Sequence, residues 1–266
     1  MILKNKKALI TGGNGVIGRT IAEFFEREGC DVITASRSGS YPVDVANPES
    51  VKSLMNLVEK KFGGLDILVT AAGTYGEIGS LEKCDEDKWF DAVKTNLWGT
   101  FLSIKHALPL LKKNSGGKII AFAGGGDGPL PNFTSYASSK GGVLRLVESL
   151  AQEFLPYSID INAISPGLVN SDFQQELIKA GPERAGGEKY KVALKEASGE
   201  AETVSPERAA GLAVFLASEK SNGITGKNIS AVWDKWEEFP NHLEHIKKSD
   251  IYNLRRVRPK ERGYDW

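Results

Sequence analysis

Cysteine is nearly absent. Cys30 and Cys84 are the only two in 266 residues, which argues against a disulfide framework, and no charged-then-apolar leader precedes the first apolar run. A cytoplasmic rather than secreted protein is expected. Long hydrophobic runs are also missing. The stretch at 65–72 stops at Gly73, far short of the roughly 20 residues a membrane-spanning helix needs. Net charge of either sign is lacking, since 34 Lys plus Arg balance 34 Asp plus Glu. That balance is unlike the basic footprint of a nucleic-acid binder, and the cations at 247–262 are interrupted by Asp250 and Glu261. Histidine is scarce too. His242 and His245 have no further ligand cluster beside them and read as a solvated helix face, and His106 reads as a packing residue, so no metal site is expected.

What is present is a rhythm of short apolar strands and amphipathic helices, which implies crossover units on a parallel sheet. Strands are expected at 7–11, 32–35, 67–70, 118–122, 159–164 and 228–232, with a loop and a short strand around Val43 replacing one full crossover. Gly29 is expected to stop the first helix, Pro48 to open the second, and Gly63 with Gly64 to close it. The most regular helical stripe is Phe90, Val93, Leu97, Phe101, Ile104 and Leu108, with Pro109 near its end and Asn96 at its margin. A helix at 135–155 carries Val143, Val147, Leu150 and Phe154 toward the core. The expected architecture is one Rossmann-type α/β domain over 1–232, a doubly wound parallel sheet in three α/β/α layers, with an excursion at 170–204. Residues 233–266 form a polar extension carrying Trp233, Trp236, Phe239 and Trp266. Large aromatics on a polar tail require a surface, here the chain's own domain, a sister subunit or the edge of a cleft.

Two motifs carry chemistry. Thr11-Gly12-Gly13-Asn14-Gly15-Val16-Ile17-Gly18 directly follows a strand and opens a helix. Glycines let backbone approach a pyrophosphate closely, and the helix amides face the anion, so Gly12, Gly13, Asn14, Gly15, Ile17 and Gly18 are read as a dinucleotide turn. Ser36-Arg37-Ser38 closes the second strand. A cation there accommodates the 2′-phosphate of NADP, whereas a carboxylate would bridge the ribose hydroxyls of NAD, so NADP(H) is preferred and NAD(H) possible. Asp44 and Val45 are placed beside the adenine, and the small Ala71, Ala72 and Gly73 leave space for the middle of the cofactor. Tyr136 and Lys140 lie four apart on one helix face. An ammonium beside a phenol lowers its pKa from the usual value near 10 and makes it a usable acid or base.

With these motifs in this order, the chain resembles the short-chain dehydrogenase/reductase family over about 6–232. The resemblance implies a Tyr136 acid/base, a Lys140 that also reaches the nicotinamide ribose, and an Asn96 that holds a water and orders the lysine. Pro166, Gly167, Val169 and Ser171 are similar to the family segment facing the nicotinamide carboxamide, and Ile224-Thr225-Gly226 to the lead-in of the last strand. The excursion at 170–204 would be a substrate lid, with Gly181, Gly186 and Gly187 as flex points. A homotetramer or dimer, built partly through the helices bearing Asn96 and Tyr136, is also implied.

The implied activity is hydride transfer between NADP(H) and a carbonyl or secondary alcohol. Epimerisation or dehydration of an activated sugar is an alternative suggested by the glycine spacing, and a non-catalytic nucleotide-binding protein is another. The departure that matters most lies after the fifth strand of the resemblance, which puts Ala123 or Gly124, and by preference Gly124, where the family's serine would hydrogen-bond the substrate carbonyl. Backbone amides at 124–126, the hydroxyls of Thr134 or Ser135, or a hydroxyl of the substrate itself are the expected replacements.

Overall fold

The computed structural model describes residues 1–114, 116–125, 128–200 and 203–266. Strands β1 (Lys7–Thr11), β2 (Asp31–Ala35), β3 (Ile67–Thr70), β4 (Gly117–Phe122), β5 (Ile159–Ser165) and β6 (Asn228–Ser230) form one sheet in the order β2-β1-β3-β4-β5-β6, every neighbouring pair parallel. Helices cover both faces, which is why the central strands read as unbroken apolar runs. Helices α1 (Val16–Arg27), α2 (Pro48–Phe62), α3 (Glu86–Ala92), α4 (Gly99–Lys113) and α5 (Thr134–Phe154) supply most of the two outer layers. The excursion forms α6 (Asp172–Ala180), α7 (Pro182–Ala185) and α8 (Gly187–Ser198), and α9 (Pro206–Ala217) and α10 (Leu243–Lys248) follow.

Local chemistry sets the boundaries. Asn47 caps α2 by accepting from the Glu49 and Ser50 amides, Pro48 takes the first helical position, and Gly63 ends the helix in the left-handed region at φ 75°. The strand order reverses between β1 and β3, so the crevice at the carboxyl ends of these strands is the natural ligand site.

Two expectations are corrected. No strand forms at Val43: the abbreviated crossover makes one isolated bridge between Ser36 and Pro42, and the buried Val43 donates its amide to Ser36. The stripe through Phe90 and Leu108 is only in part the core face: Ile104 is buried in the core and Leu97, Phe101 and Leu108 pack half-buried against it, but the rest of the buried face is made of other residues. Phe90 is 51% exposed and Trp98 42% exposed, while Ala92, Asn96, Gly99, Thr100, Ser103 and Ala107 are buried. A π-helical stretch at Val93–Trp98 joins α3 to α4, and small residues let the helix lie close to its neighbours. A Cβ on Gly99 would stand 2.7 Å from Val45 Cγ2. Pro109 lies inside α4, which runs on to Lys113.

The core has two halves. Leu54, Val58, Leu111, Val143, Val147 and Phe154 pack on one face of the sheet, and Ile21, Phe25, Leu212, Phe215 and Ile229 on the other. The extension joins the second half. Trp236 and Phe239 stack around Phe215 with ring centroids 6.1 and 6.3 Å away. It also covers the edge of β6, where the Asn228 amide donates to Tyr252 at 2.8 Å and the Ser230 amide to Asp234 at 2.7 Å. Trp233 and Trp266 remain exposed. The excursion has a smaller apolar centre of Phe133, Leu177, Ala185 and Ala193, with Gly181 and Gly186 at its helix junctions, at φ 79° and 86°. Among the described residues no helix is long and apolar enough to cross a membrane.

Candidate active site

The turn between β1 and α1 packs against the ends of β2 and β3. The Gly13 amide donates to Ala35 and the Gly15 amide to Gly12. Gly12 has φ 75°, and a Cβ there would lie 2.4 Å from the Ala72 nitrogen, so glycine is required by the protein's own backbone. A Cβ on Gly18 would lie 2.4 Å from the Gly12 carbonyl, and one on Gly13 2.5 Å from Thr34 Cβ. Gly15 differs. It precedes α1 in extended conformation, contributes no side-chain cap, and a Cβ there would meet only the Gly12 carbonyl, at 3.3 Å. The first turn of α1 has no side-chain cap and no acidic side chain, which fits a pyrophosphate.

Asn14 ties this turn to the end of β2. Its Nδ2 donates to the Ser38 carbonyl at 2.7 Å and to Ser38 Oγ at 3.1 Å, while Ser36 Oγ donates to the same carbonyl. Arg37, between Ser36 and Ser38 in the chain, is exposed and without an ion pair among the described residues. Asp44 is exposed and caps the Ala46 amide, and the Val45 side chain is turned inward onto Gly99.

At the other end of the crevice a cleft gathers Ile17, Ala71, Gly73, Tyr136, Lys140, Pro166, Gly167, Val169 and Ser171, all expected from the sequence. Gly124 shares it, together with Tyr75, Phe122, Leu168, Phe173 and Gln174. Gly73 sits at the centre: a Cβ there would lie 3.2 Å from Asn96 Oδ1, 3.5 Å from Phe173 Cζ and 3.7 Å from Lys140 Nζ. The Tyr136 ring meets Tyr75 and Phe173 edge to face, with centroids 4.9 and 5.8 Å apart.

The electrostatics depart from expectation. Burial pushes the Tyr136 phenol above its usual range, with Tyr75 and Glu176 adding to the rise. The expected lowering by Lys140 is not found. Lys140 Nζ lies 5.8 Å from the Tyr136 ring centroid and donates to the Phe122 carbonyl at 2.8 Å, and burial draws its own pKa from 10.5 to about 8. Asn96 is fully buried in the π-helical stretch. Its Oδ1 accepts from the Thr74 amide at 3.0 Å and its Nδ2 donates to the Thr74 carbonyl and to Ser139 Oγ, both at 2.9 Å. Asn96 therefore fixes the loop after β3 and, through Ser139, which donates to the Tyr136 carbonyl at 2.7 Å, the first turn of α5. It makes no hydrogen bond to Lys140.

A Cβ built on Gly124 would stand 3.9 Å from Tyr136 Oη and 3.3 Å from Pro166 Cδ, beside the phenol as a carbonyl-binding serine would be. Neither hydroxyl expected to replace it lines the cleft. Thr134 Oγ1 accepts from the Trp89 indole at 3.0 Å, and Ser135 Oγ donates to the Tyr75 and Glu77 carbonyls at 3.1 and 3.2 Å. Of the amides at 124–126, that of Gly126 lies outside the described residues. Sequence reasoning missed Tyr75, Phe173 and Glu176. Tyr75 could have been found, because it lies in the loop leaving the carboxyl end of β3, where the strand order reverses.

A parallel sheet with a glycine turn at its switch point and a buried Tyr-x-x-x-Lys pair beside it defines a dinucleotide-dependent oxidoreductase. Over residues 13–231 the chain matches the family model described as enoyl-(acyl carrier protein) reductase. It is 32% identical over 194 residues to the 3-oxoacyl-[acyl-carrier-protein] reductase of Vibrio cholerae, covering 66% of this chain and 79% of that one. The aldohexose dehydrogenase of Thermoplasma acidophilum superposes with TM-score 0.75 at 26% identity, covering 86% of this chain and 92% of that one. A short-chain type dehydrogenase/reductase from Mycobacterium marinum superposes with TM-score 0.74 at 26% identity, covering 86% and 94%. The chain belongs to the short-chain dehydrogenase/reductase family. It is an oxidoreductase of that family, with a nicotinamide dinucleotide as cofactor and a small molecule as substrate.

Proposed function

We propose that this chain reduces a carbonyl group with NADPH, with Tyr136 as the acid. The observation that carries the reading is the shared cleft, where Tyr136, Lys140 and Gly73 adjoin the Pro166–Ser171 segment at the switch point of the sheet. Bound there, the dinucleotide supplies a hydride, and with it two electrons, to the carbonyl carbon. Tyr136 gives its proton to the carbonyl oxygen, completing the alcohol, and the phenolate regains a proton from water. A phenol raised by burial is held in the protonated form that reduction needs. Lys140 steadies the phenolate as it forms. Arg37, flanked by Ser36 and Ser38, supports NADPH over NADH, and the glycine turn holds the pyrophosphate. We place the protein in the cytoplasm and assign it a homodimer or homotetramer. The exposed Trp98, just before α4, stacks on Phe101 with centroids 5.2 Å apart, and this surface aromatic supports assembly.

The reading is tested by following NADPH and NADH oxidation across a panel of ketones, aldehydes, 3-oxoacyl thioesters and sugar nucleotides, and NADP reduction with aldohexoses. Turnover without net change in cofactor would favour sugar epimerisation instead. Arg37→Glu is expected to raise the NADPH dissociation constant about 10–100-fold, since a charge-assisted hydrogen bond contributes about 1.5–3 kcal/mol. The NADH constant should change much less, and equal losses would remove Arg37 as the phosphate reader.

The pH profile gives a second test. Lys140 is charged below about pH 8 and neutral above it. The kcat/KM for reduction is therefore expected to be level below that point and to fall by about tenfold per pH unit above it. Lys140→Met should be slow at every pH and lack that limb. The linkage runs the other way for stability: between about pH 8 and the ordinary lysine value the unfolded chain binds more protons, so this group's contribution to stability rises with pH.

A further inference from the structure

Gly124 leaves the carbonyl oxygen of a substrate without the hydroxyl donor that a serine would present. The hydroxyls nearest the cleft are nearly all committed within the protein. Besides Ser135, Ser139 Oγ donates to the Tyr136 carbonyl, Ser171 Oγ to Gln174 at 3.3 Å, and Thr74 Oγ1 to the Glu176 carboxylate at 3.0 and 3.2 Å, while Thr134 Oγ1, which accepts from Trp89, does not line the cleft. Tyr75 is the exception. Its phenol lines the same cleft as Gly124 and Tyr136 and makes no hydrogen bond to any described residue, whereas its backbone is fastened at both ends. The Tyr75 amide donates to Glu176 at 2.8 Å, its carbonyl accepts from Ser135, and its ring is held edge to face by Phe133 and Phe173 with centroids 5.1 and 4.6 Å away.

We propose that Tyr75 is a catalytic residue that takes the place of the missing serine, donating its phenolic hydrogen bond to the substrate carbonyl oxygen while Tyr136 delivers the proton. The inference rests on the carbonyl-reductase reading above. A donor at this position must not ionise, because a phenolate would repel the negative charge growing on the oxygen. Burial, with the negative charges of Glu176 and Glu196 adding to the rise, lifts the Tyr75 phenol to about 12, so it remains a neutral donor across the working pH range. Its clamped ring meets the requirement for a dipole already oriented before reaction. No proton leaves Tyr75. The alcohol gains its hydrogen on oxygen from Tyr136 and its hydrogen on carbon from the cofactor. Among the described residues Lys140 is the only charged one lining the cleft, so an uncharged probe such as cyclohexane-1,2-dione suits the test, with any faster ketone from the panel beside it.

The experiment compares wild type, Tyr75→Phe, the double variant Tyr75→Phe/Gly124→Ser, and Tyr136→Phe. Tyr75→Phe removes only an oxygen that bonds nothing in the fold, so its thermal midpoint should stay at the wild-type value. Its kcat should fall about 10²–10³-fold, the usual loss for one oxyanion donor, with KM changing little. Adding Gly124→Ser should restore at least tenfold of that loss, because a Cβ at this position would stand 3.9 Å from Tyr136 Oη. In the complex of ketone with oxidised cofactor, the infrared carbonyl stretch should move to higher frequency in Tyr75→Phe and back down in the double variant. A purely packing role for Tyr75 would move neither signal. Retention of kcat within threefold in Tyr75→Phe, with Tyr136→Phe inactive, overturns the assignment of Tyr75 alone. Absence of turnover with every carbonyl, or full activity in Tyr136→Phe, overturns the parent reading and this one with it.

Discussion

Tyr136→Phe is expected to lower kcat for carbonyl reduction about 10²–10⁴-fold, the range for losing a positioned general acid. The fold should be indifferent to the change. The Tyr136 hydroxyl makes no hydrogen bond to a described residue, while its ring keeps the edge-to-face contacts with Tyr75 and Phe173 that hold it in the cleft. The variant should therefore melt within about 1–2 °C of wild type and bind NADPH with unchanged affinity, because a substitution that removes no packing and no satisfied polar contact stays within about 0.5 kcal/mol. Steady-state kinetics beside thermal melts and fluorescence titration with NADPH check all three. If more than a tenth of the turnover survived, another group would have to be the acid, and Tyr75, whose ring lies against Tyr136, would be the first to examine. The direction of the pKa shift bears on the reverse reaction too. A phenol raised by burial is a poor base at neutral pH, so oxidation of an alcohol should accelerate toward alkaline pH until Lys140 loses its charge near pH 8. Reduction should not share that rising limb.

The sheet was legible because its strands are buried on both faces, which turns each into a short apolar run that glycine or polar residues punctuate. β1 and β3 begin and end at the residues expected. The parts of the site that lie at strand ends were legible for the same reason, since the glycine turn, Ala71-Ala72-Gly73 and the Pro166-Gly167 segment are punctuation marks of the sheet. The long helix was legible only in part, because periodicity reports where large apolar residues lie and not every residue that touches the sheet. Ile104 of the stripe is buried with Leu102, Leu110 and Leu111, but Ala92, Asn96, Gly99, Ser103 and Ala107, small or polar residues that close approach demands, share the inner face, and a π-helical stretch interrupts the phase. The Tyr136 shift was misjudged because spacing on a helix brings Lys140 near the ring but does not say which acceptor the ammonium chooses. It chooses the Phe122 carbonyl. Thr134 and Ser135 looked available for the same reason, their partners Trp89, Tyr75 and Glu77 coming from a loop and helix distant in sequence. Trp236 and Phe239 could be read as needing a cover, but that the cover is Phe215 follows only from the folded chain.

The glycine turn separates two kinds of requirement that its motif alone runs together. Gly12→Ala is expected to destabilise the protein by about 2–5 kcal/mol, combining left-handed backbone strain with forced overpacking. The added methyl would meet the Ala72 nitrogen at 2.4 Å and the Ala71 carbonyl carbon at 2.6 Å, and both belong to the backbone leaving β3, which cannot step aside without disturbing the sheet. The melting midpoint should drop by roughly 5–15 °C for a domain of this size, and dinucleotide binding would be lost as a consequence of the damaged turn. Gly15→Ala should reverse the pattern. Gly15 has φ −68° and ψ 157°, a conformation alanine adopts freely, and the new methyl would have only the Gly12 carbonyl within contact, at 3.3 Å. Stability should change by less than about 1 kcal/mol. NADPH affinity should nevertheless fall about tenfold or more, because the methyl projects at the amino end of α1 where the pyrophosphate has to approach the amides. Thermal melts of both variants with and without NADPH distinguish the cases: Gly12→Ala should melt early and gain little from cofactor, and Gly15→Ala should melt normally and gain little. Full cofactor stabilisation of Gly15→Ala would show that the pyrophosphate does not use this turn.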